Sequence, residues 1–144
     1  MNPRSKALSS AINDPTTAVL AIDQLHRLLR LAGARHLHDD VLHDSEEVPR
    51  LIFRTPNWED FVALSFSEIR LYGAGNFQIA RRLRAMIEDL LETLPMARQP
   101  ALRGELELLD RALERLYPFT EDLALARQPD LQGLGGAGGK GHQA

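Results

Sequence analysis

Apolar residues recur at helical spacing in four stretches of this chain, and each stretch is opened by a polar capping residue or a proline. In the first, Val19, Ile22, Leu25 and Leu29 stand three or four residues apart and form one face of a helix. Asn13-Asp14-Pro15 predicts its start. The Asp14 carboxylate can accept from the free amides of a first helical turn. Pro15 then takes the first helical position, where a missing N–H is harmless and a fixed φ helps. Gly33 predicts its stop, with Arg30 and Arg35 placed toward the negative end of the helix dipole. Thr55-Pro56-Asn57 opens the second stretch, marked by Phe61, Leu64, Ile69 and Tyr72, with Gly73 as its C-cap. Asn76 caps the third, in which Ala80, Leu83, Ile87, Leu90 and Leu94 form an unbroken stripe ended by Pro95. Pro100 opens the fourth, where Leu102, Leu106, Leu109, Leu113 and Leu116 alternate four and three apart before Pro118. A short further turn of helix is expected around Thr120–Arg127.

Residues 36–56 break the helical period. Val41-Leu42 and Leu51-Ile52-Phe53 flank the charged turn Asp44-Ser45-Glu46-Glu47, which predicts a β-hairpin near residues 40–54. Pro49 limits the second arm to an edge or a short strand. The four main helices would each run roughly 25 Å, and matched lengths with short loops favour antiparallel neighbours. The expected fold is therefore mainly α: an antiparallel four-helix bundle with a short β-hairpin insert. Residues 1–6 read as a flexible arm, 7–128 as one helical domain and 129–144 as a disordered tail. The tail reading rests on Gly133–Gly141, which is too glycine-rich to build a core.

A length of 144 residues fits one domain able to bury about 70% of its unfolded surface. The net charge of −3 supplies no field for nucleic acid, so no nucleic-acid partner is expected. Without cysteine, disulfides, thiol catalysis and Cys-based metal sites are excluded. The N-terminal residues lack a signal peptide's apolar stretch and no run reaches the length of a membrane span, so the chain as given is expected to be cytoplasmic.

Candidate chemistry is sparse. His36, His38 and His43 lie near Asp39, Asp40 and Asp44, and imidazole with carboxylate could hold a divalent ion. A solvated polar loop is the plainer reading. Asp23 and His26 stand one turn apart in the first helix, a spacing used by di-metal bundles. The pair occurs once, and His26 is expected at the core boundary. Arg81, Arg82 and Arg84, with Arg70 nearby, form a basic cluster that could hold an anion, but is expected to be a solvated face. Gly139-Lys140 lacks the remaining residues of a phosphate loop. The hydrolase, zincin and dinucleotide signatures are absent, and Glu59/Asp60 and Glu88/Asp89 read as surface charge. No cofactor and no enzymatic activity are expected.

The segment Ala7–Ala18 resembles the signature of a family of predicted bacterial membrane proteins catalogued as domain of unknown function 2254. That signature runs approximately Ala-Leu-Ser-Pro-(Ala/Gly)-Ile-Asn-Asp-Pro-x-Thr-Ala. Ala7, Leu8, Ser9, Ala11, Ile12, Asn13, Asp14, Pro15, Thr17 and Ala18 match it, and Ser10 stands where the family usually has proline. Ile22-Asp23, Trp58-Glu59-Asp60 and the run Ile69–Ala74 extend the likeness, which covers roughly residues 5–118 in one register. The loop at 36–48 and the Gly-rich tail stand outside it. The resemblance implies the C-terminal soluble part of a longer protein that begins with transmembrane helices. The chain would then be an excised domain, a split partner or a shortened relative. It carries over no catalytic residue. Its signature positions Asn13, Asp14, Pro15, Thr17, Tyr72 and Gly73 are candidate site residues, with Asn13-Asp14-Pro15 expected to be mainly architectural. The function this implies is a non-catalytic regulatory or assembly module, paired with a membrane-embedded partner or region. The alternative is a ligand- or metal-binding sensor using the Asn13/Asp14 turn or the His36/His38/His43 loop. The leucine stripe 102–116 either fills the domain's own core or joins two copies as a homodimer.

Overall fold

The computed structural model describes residues 14–37 and 41–131. In chain order these form α1 (Pro15–Gly33), β1 (Val41–His43), β2 (Pro49–Ile52), α2 (Trp58–Gly73), α3 (Phe77–Thr93), a single 3-10 turn (Met96–Arg98), α4 (Gln99–Leu116) and α5 (Thr120–Ala126). The fold is mainly helical, with one small antiparallel two-stranded sheet. The expected arm at 1–6 and most of the expected tail lie outside the described residues.

The N-terminal caps follow the residues singled out from the pattern. Asp14 accepts from the Thr16 amide and Pro15 opens α1. Asn57 and Asp60 form a reciprocal capping box on α2, satisfying two first-turn donors at once. The Asn76 side chain accepts from the amides of Gln78 and Ile79. The C-terminal end of α1 is satisfied differently from expectation. Arg98, from the α3–α4 connection, donates to the carbonyls of Gly33 and Arg35 at 3.3 and 3.1 Å. Arg30 turns instead toward α3.

Helix α3 is the centre of the packing, in contact with α1, α4 and α5, while α2 lies against α4. Buried Ile79, Ala80, Leu83, Met86, Ile87 and Leu90 of α3 meet Ile22 and Leu29 of α1 and Leu102, Leu109 and Leu113 of α4 within one core. Contacts between α1 and α3 climb both helices together, from Asp23–Arg82 through His26–Asp89 to Gly33 beside Leu94. The two helices therefore run parallel. Trp58 reaches the Arg98 carbonyl, Arg70 reaches Glu105 and Tyr117 reaches the Ala74 carbonyl, so α2 and α4 are parallel as well. The most extensive helix contact thus joins the alternate helices α1 and α3, followed by that between α3 and α4.

Two expectations are corrected by this packing. First, the fully buried residues of α2 are Trp58, Val62, Phe66 and Gly73; of the expected face, Phe61 and Ile69 pack against the core only partly buried, and Leu64 and Tyr72 point away from it. Leu64 is 82% exposed and Tyr72 66%. Apolar side chains occur all round this helix, and the bulk of Trp58 and Phe66 selects the face that fills the core. Second, Gly33 and Gly73 are not left-handed caps, since no described glycine has positive φ and the C-caps are Ala34 and Ala74. They are sites of close approach. A Cβ at Gly33 would lie 2.5 Å from a Leu94 methyl and 3.0 Å from the Trp58 ring, and one at Gly73 would lie 2.8 Å from Ile79 Cγ2. Within the leucine stripe, Leu102, Leu109 and Leu113 are buried in this domain's own core, Leu106 packs against it partly buried, and Leu116 is 50% exposed.

The hairpin pairs Val41 with Ile52, Leu42 with Leu51 and His43 with Pro49, with a bulge after Leu42. Its turn is organised by Asp44, whose carboxylate accepts from the amides of Glu46 and Val48 and from Arg50 Nε. The Arg50 guanidinium, followed by those two amides, holds this carboxyl below its usual range. Glu47 takes the left-handed conformation that closes the turn.

Two glycine substitutions should separate close approach from flexibility. Gly33→Ala should destabilise by about 1–3 kcal/mol through overpacking against Leu94 and Trp58. Gly104 lies mid-helix in α4 with open space around its Cα, so Gly104→Ala should stabilise by about 0.5–1 kcal/mol. Urea denaturation of both variants reads the two signs.

Candidate functional site

The interface of α1 and α3 contains a connected set of charged side chains where an apolar seam would be the default. Asp23, His26 and Arg30 share one face of α1, at spacings of three and four. Arg82 and Asp89, seven residues apart, share the facing surface of α3. Arg82 donates from Nε to Asp23 Oδ1 at 2.6 Å, with both side chains 1% exposed. Its Nη2 lies 3.2 Å from His26 Nδ1. His26 Nε2 lies 2.6 Å from Asp89 Oδ2, and Arg30 Nη2 donates to both Asp89 oxygens at 2.7 Å.

Donor counting settles the histidine tautomer. A guanidinium only donates, so His26 Nδ1 must accept from Arg82. The proton then resides on Nε2 and is given to Asp89. Burial is the main cause that lowers the His26 pKa, opposed by the hydrogen bond and charge of Asp89. The imidazole is therefore neutral at neutral pH, and the continuous path Asp89–His26–Arg82–Asp23 is made of one acceptor or donor at each step.

Arg82 has a third partner. Its Nη1 donates to the Asp130 carbonyl at 3.3 Å. Beside it the Asp130 amide donates to the Arg81 carbonyl at 3.1 Å, and Arg81 Nε donates to the Gln128 carbonyl at 3.1 Å. One guanidinium thus joins α1, α3 and the segment that follows α5. A second set lies between α3, α4 and α5, where Arg84 bonds Asp110 and Glu88, and Arg127 bonds Asp110 and Glu114. Arg70 of α2 meets Glu105 of α4 at 3.3 Å.

These positions overturn the expected solvated basic face, because Arg82 and Arg84 are buried. They also move His26 from the core boundary into the core and Asp89 off the open surface. The spacing carried only part of this, namely which charges border the apolar stripes and not which of them pair. Asp23, His26 and Arg30 fall beside the apolar Ile22, Leu25 and Leu29, and Arg82 and Asp89 flank Leu83 and Leu90.

An Asp–His pair is a familiar element of base catalysis, but here the second imidazole nitrogen meets a guanidinium. A nucleophile would need a hydroxyl or thiol at that position. Both nitrogens being engaged also leaves no lone pair for a metal. Among the described residues no three His, Asp or Glu side chains stand together as a metal site. His43 is exposed and the Asp44 carboxylate is spent on its own turn, while His38 lies outside the described residues.

Of the signature residues, Asp14, Pro15 and Thr17 form one cap. The Asp14 carboxylate accepts from the Thr16 amide at 3.1 Å and from the Thr17 hydroxyl at 2.6 Å. The Thr17 hydroxyl is the chief cause that lowers its pKa. Asn13 lies outside the described residues. Tyr72 and Gly73 end α2, where Gly73 packs against Ile79 and Tyr72 faces outward. Because α1 and α3 run parallel, the Asp14 cap and the α2–α3 turn occupy the same end of the molecule.

Removing one member of the buried pair should be far more damaging than removing both. Arg82→Leu should destabilise by about 3–5 kcal/mol, because it leaves the Asp23 carboxylate buried and unpaired. Adding Asp23→Leu should restore much of that loss in a urea double-mutant cycle. A second outcome concerns pH. With the folded-state His26 pKa lowered, the unfolded chain binds the proton more readily. Stability should rise with pH from the folded-state value to about 6.5, be complete above it, and be lost on acidification. Urea midpoints across that window, compared with those of His26→Gln, read the slope.

No solved structure matches the chain. Among curated proteins it is similar to the uncharacterized protein Mb1321c of Mycobacterium bovis and to two uncharacterized proteins of Mycobacterium tuberculosis, MT1328 and Rv1290c. Each is 25% identical over 121 residues, which is 83% of this chain and 23% of the relative. The chain therefore spans about a quarter of the length of the curated relatives it matches. No helix among the described residues is long and apolar enough to cross a membrane. A family model described as "predicted membrane protein", domain of unknown function 2254, matches residues 5–89, a span that includes the Asp14 cap and every side chain of the α1–α3 network, and the chain belongs to that family.

Proposed function

We propose that this chain is a non-catalytic regulatory or assembly module on the cytoplasmic side of a membrane, docked on a membrane-embedded partner or region. In this reading the four long helices act as one bundle, a rigid platform, and the hairpin is the docking element. The observation that carries it is the exposure of the hairpin's apolar side chains. Leu42 and Leu51 are each 53% exposed and Ile52 75%, on a two-stranded sheet in which Leu42 pairs with Leu51 and Val41 with Ile52. Leu42 and Leu51 share one face of the hairpin and Ile52 lies on the other, so apolar surface is exposed on both faces, which supports an interaction role, and a two-stranded hairpin gains stability when a partner covers it. The family's description as a membrane protein supports a membrane-embedded occupant. The engagement of both His26 nitrogens supports a structural use of the chain's buried acid–base groups.

The test is co-purification from detergent-solubilised membranes of the native host, comparing wild type with Leu51→Thr/Ile52→Thr. Threonine keeps β propensity while removing apolar surface. The variant should melt like wild type and lose membrane-protein retention by about tenfold or more. Undiminished retention would overturn the reading. Recovery of only a second copy of this chain would replace it with the homodimer.

A further inference from the structure

The contact between His26 and Arg82 has only one arrangement that satisfies both groups. His26 Nδ1 is an acceptor because Arg82 Nη2 is an obligate donor 3.2 Å away. The same guanidinium reaches Asp130 through Nη1 and Asp23 through Nε. We propose that His26 is an acid-sensitive latch: protonation at Nδ1 expels the Arg82 guanidinium from its contact and loosens the Gln128–Asp130 segment from α3.

The charged groups facing the imidazole come from both packed helices and the returning segment. Asp23 and Arg30 lie on its own helix, Arg82 and Asp89 lie on α3, and Asp130 contributes its carbonyl through Arg82. Among the described residues, Asp89 is the only charged group bonded directly to the ring that favours imidazolium, and it already accepts from Nε2–H. A proton added at Nδ1 sets an N–H against an N–H and a cation against a cation. The strong partners of the imidazolium and the guanidinium then lie on opposite sides, at Asp89 and Asp23. Arg82 keeps Asp23 and swings away from His26, which removes Nη1 from the Asp130 carbonyl. The bonds made by Arg81 to Gln128 and by the Asp130 amide to the Arg81 carbonyl are exposed to solvent competition once that anchor is gone. Helix α5 itself is retained, because Ala126 is fully buried and Arg127 is held by Asp110 and Glu114. The event is local and electrostatic, with a single titrating group acting through one two-position side chain.

Two observables on the wild-type protein test this. Nitrogen-15 spectra of the His26 ring give its tautomer and titration midpoint. Amide exchange at Asp130, corrected for the intrinsic pH dependence, reports the segment. Above the midpoint the ring should carry its proton on Nε2. Through the midpoint, Asp130 protection should fall by about tenfold or more while Leu109 and Leu113 keep theirs. His26→Gln can accept from Arg82 and donate to Asp89 but cannot gain a proton, so it should keep Asp130 protected throughout. Release of the segment in His26→Gln at the same pH would overturn the latch. Loss of protection at Leu109 and Leu113 in step with Asp130 would overturn it in favour of global acid unfolding. If His26→Gln does not fold, the wild-type midpoints decide alone: coincidence of ring protonation and segment release supports the latch, and separation of the two refutes it.

Discussion

A guanidinium cannot lose its charge inside a protein, so burying Arg82 obliges the surrounding chain to supply acceptors in the right places. Asp23 and His26 of α1 and the Asp130 carbonyl supply them. This requirement aligns α1 alongside α3 in one direction and at one register. It also draws the segment after α5 back over the first turns of α3. Apolar packing alone tolerates sliding of one helix past another; a charged side chain with three directional partners does not. The Asp89 carboxylate extends the same constraint, because it accepts from the His26 Nε2–H and from the Arg30 guanidinium together.

The arrangement makes α3 a helix with two kinds of contact. Its apolar stripe fills the core against α1 and α4, and its arginines project from the borders of that stripe to carboxylates on α1 and α4. Burial of this many charges contributes little net stability when set against well-packed apolar residues, but a mispaired arrangement leaves a charge without a partner. The cost of the wrong pairing, more than the gain of the right one, makes one packing unique. The cores of α2 and α4 use the Arg70–Glu105 pair in the same way.

Two glycines complete the geometry. Gly33 lets Leu94 and the Trp58 ring approach the end of α1, and Gly73 lets Ile79 approach the end of α2. Arg98 then closes the Gly33 end by bonding its carbonyl while standing over the Trp58 ring, 5.6 Å from the centroid. At the opposite end lie the Asp14 cap and the α2–α3 turn, two of the stretches on which the family resemblance rests. In the hairpin, by contrast, Leu42, Leu51 and Ile52 are all more than half exposed.

Local rules were legible in the residues themselves. Asp14-Pro15, Asn57 and Asn76 start helices because their side chains reach amides only two or three residues ahead, a distance that no tertiary fold alters. The α3 stripe and the hairpin around Asp44 were legible for the same reason, since their periods and turn bonds are short-range. The face of α2 was not, because apolar residues surround that helix and only the space left by its neighbours selects Trp58, Val62 and Phe66. The α1–α3 network was not legible either. Arg82, set among Arg81 and Arg84, looks like surface charge until its partners, 56 and 59 residues away at His26 and Asp23, are brought against it. The sequence by itself therefore determined where helices begin and which residue types could pair. Only the tertiary structure decided which charges are buried, because burial depends on which helix faces meet.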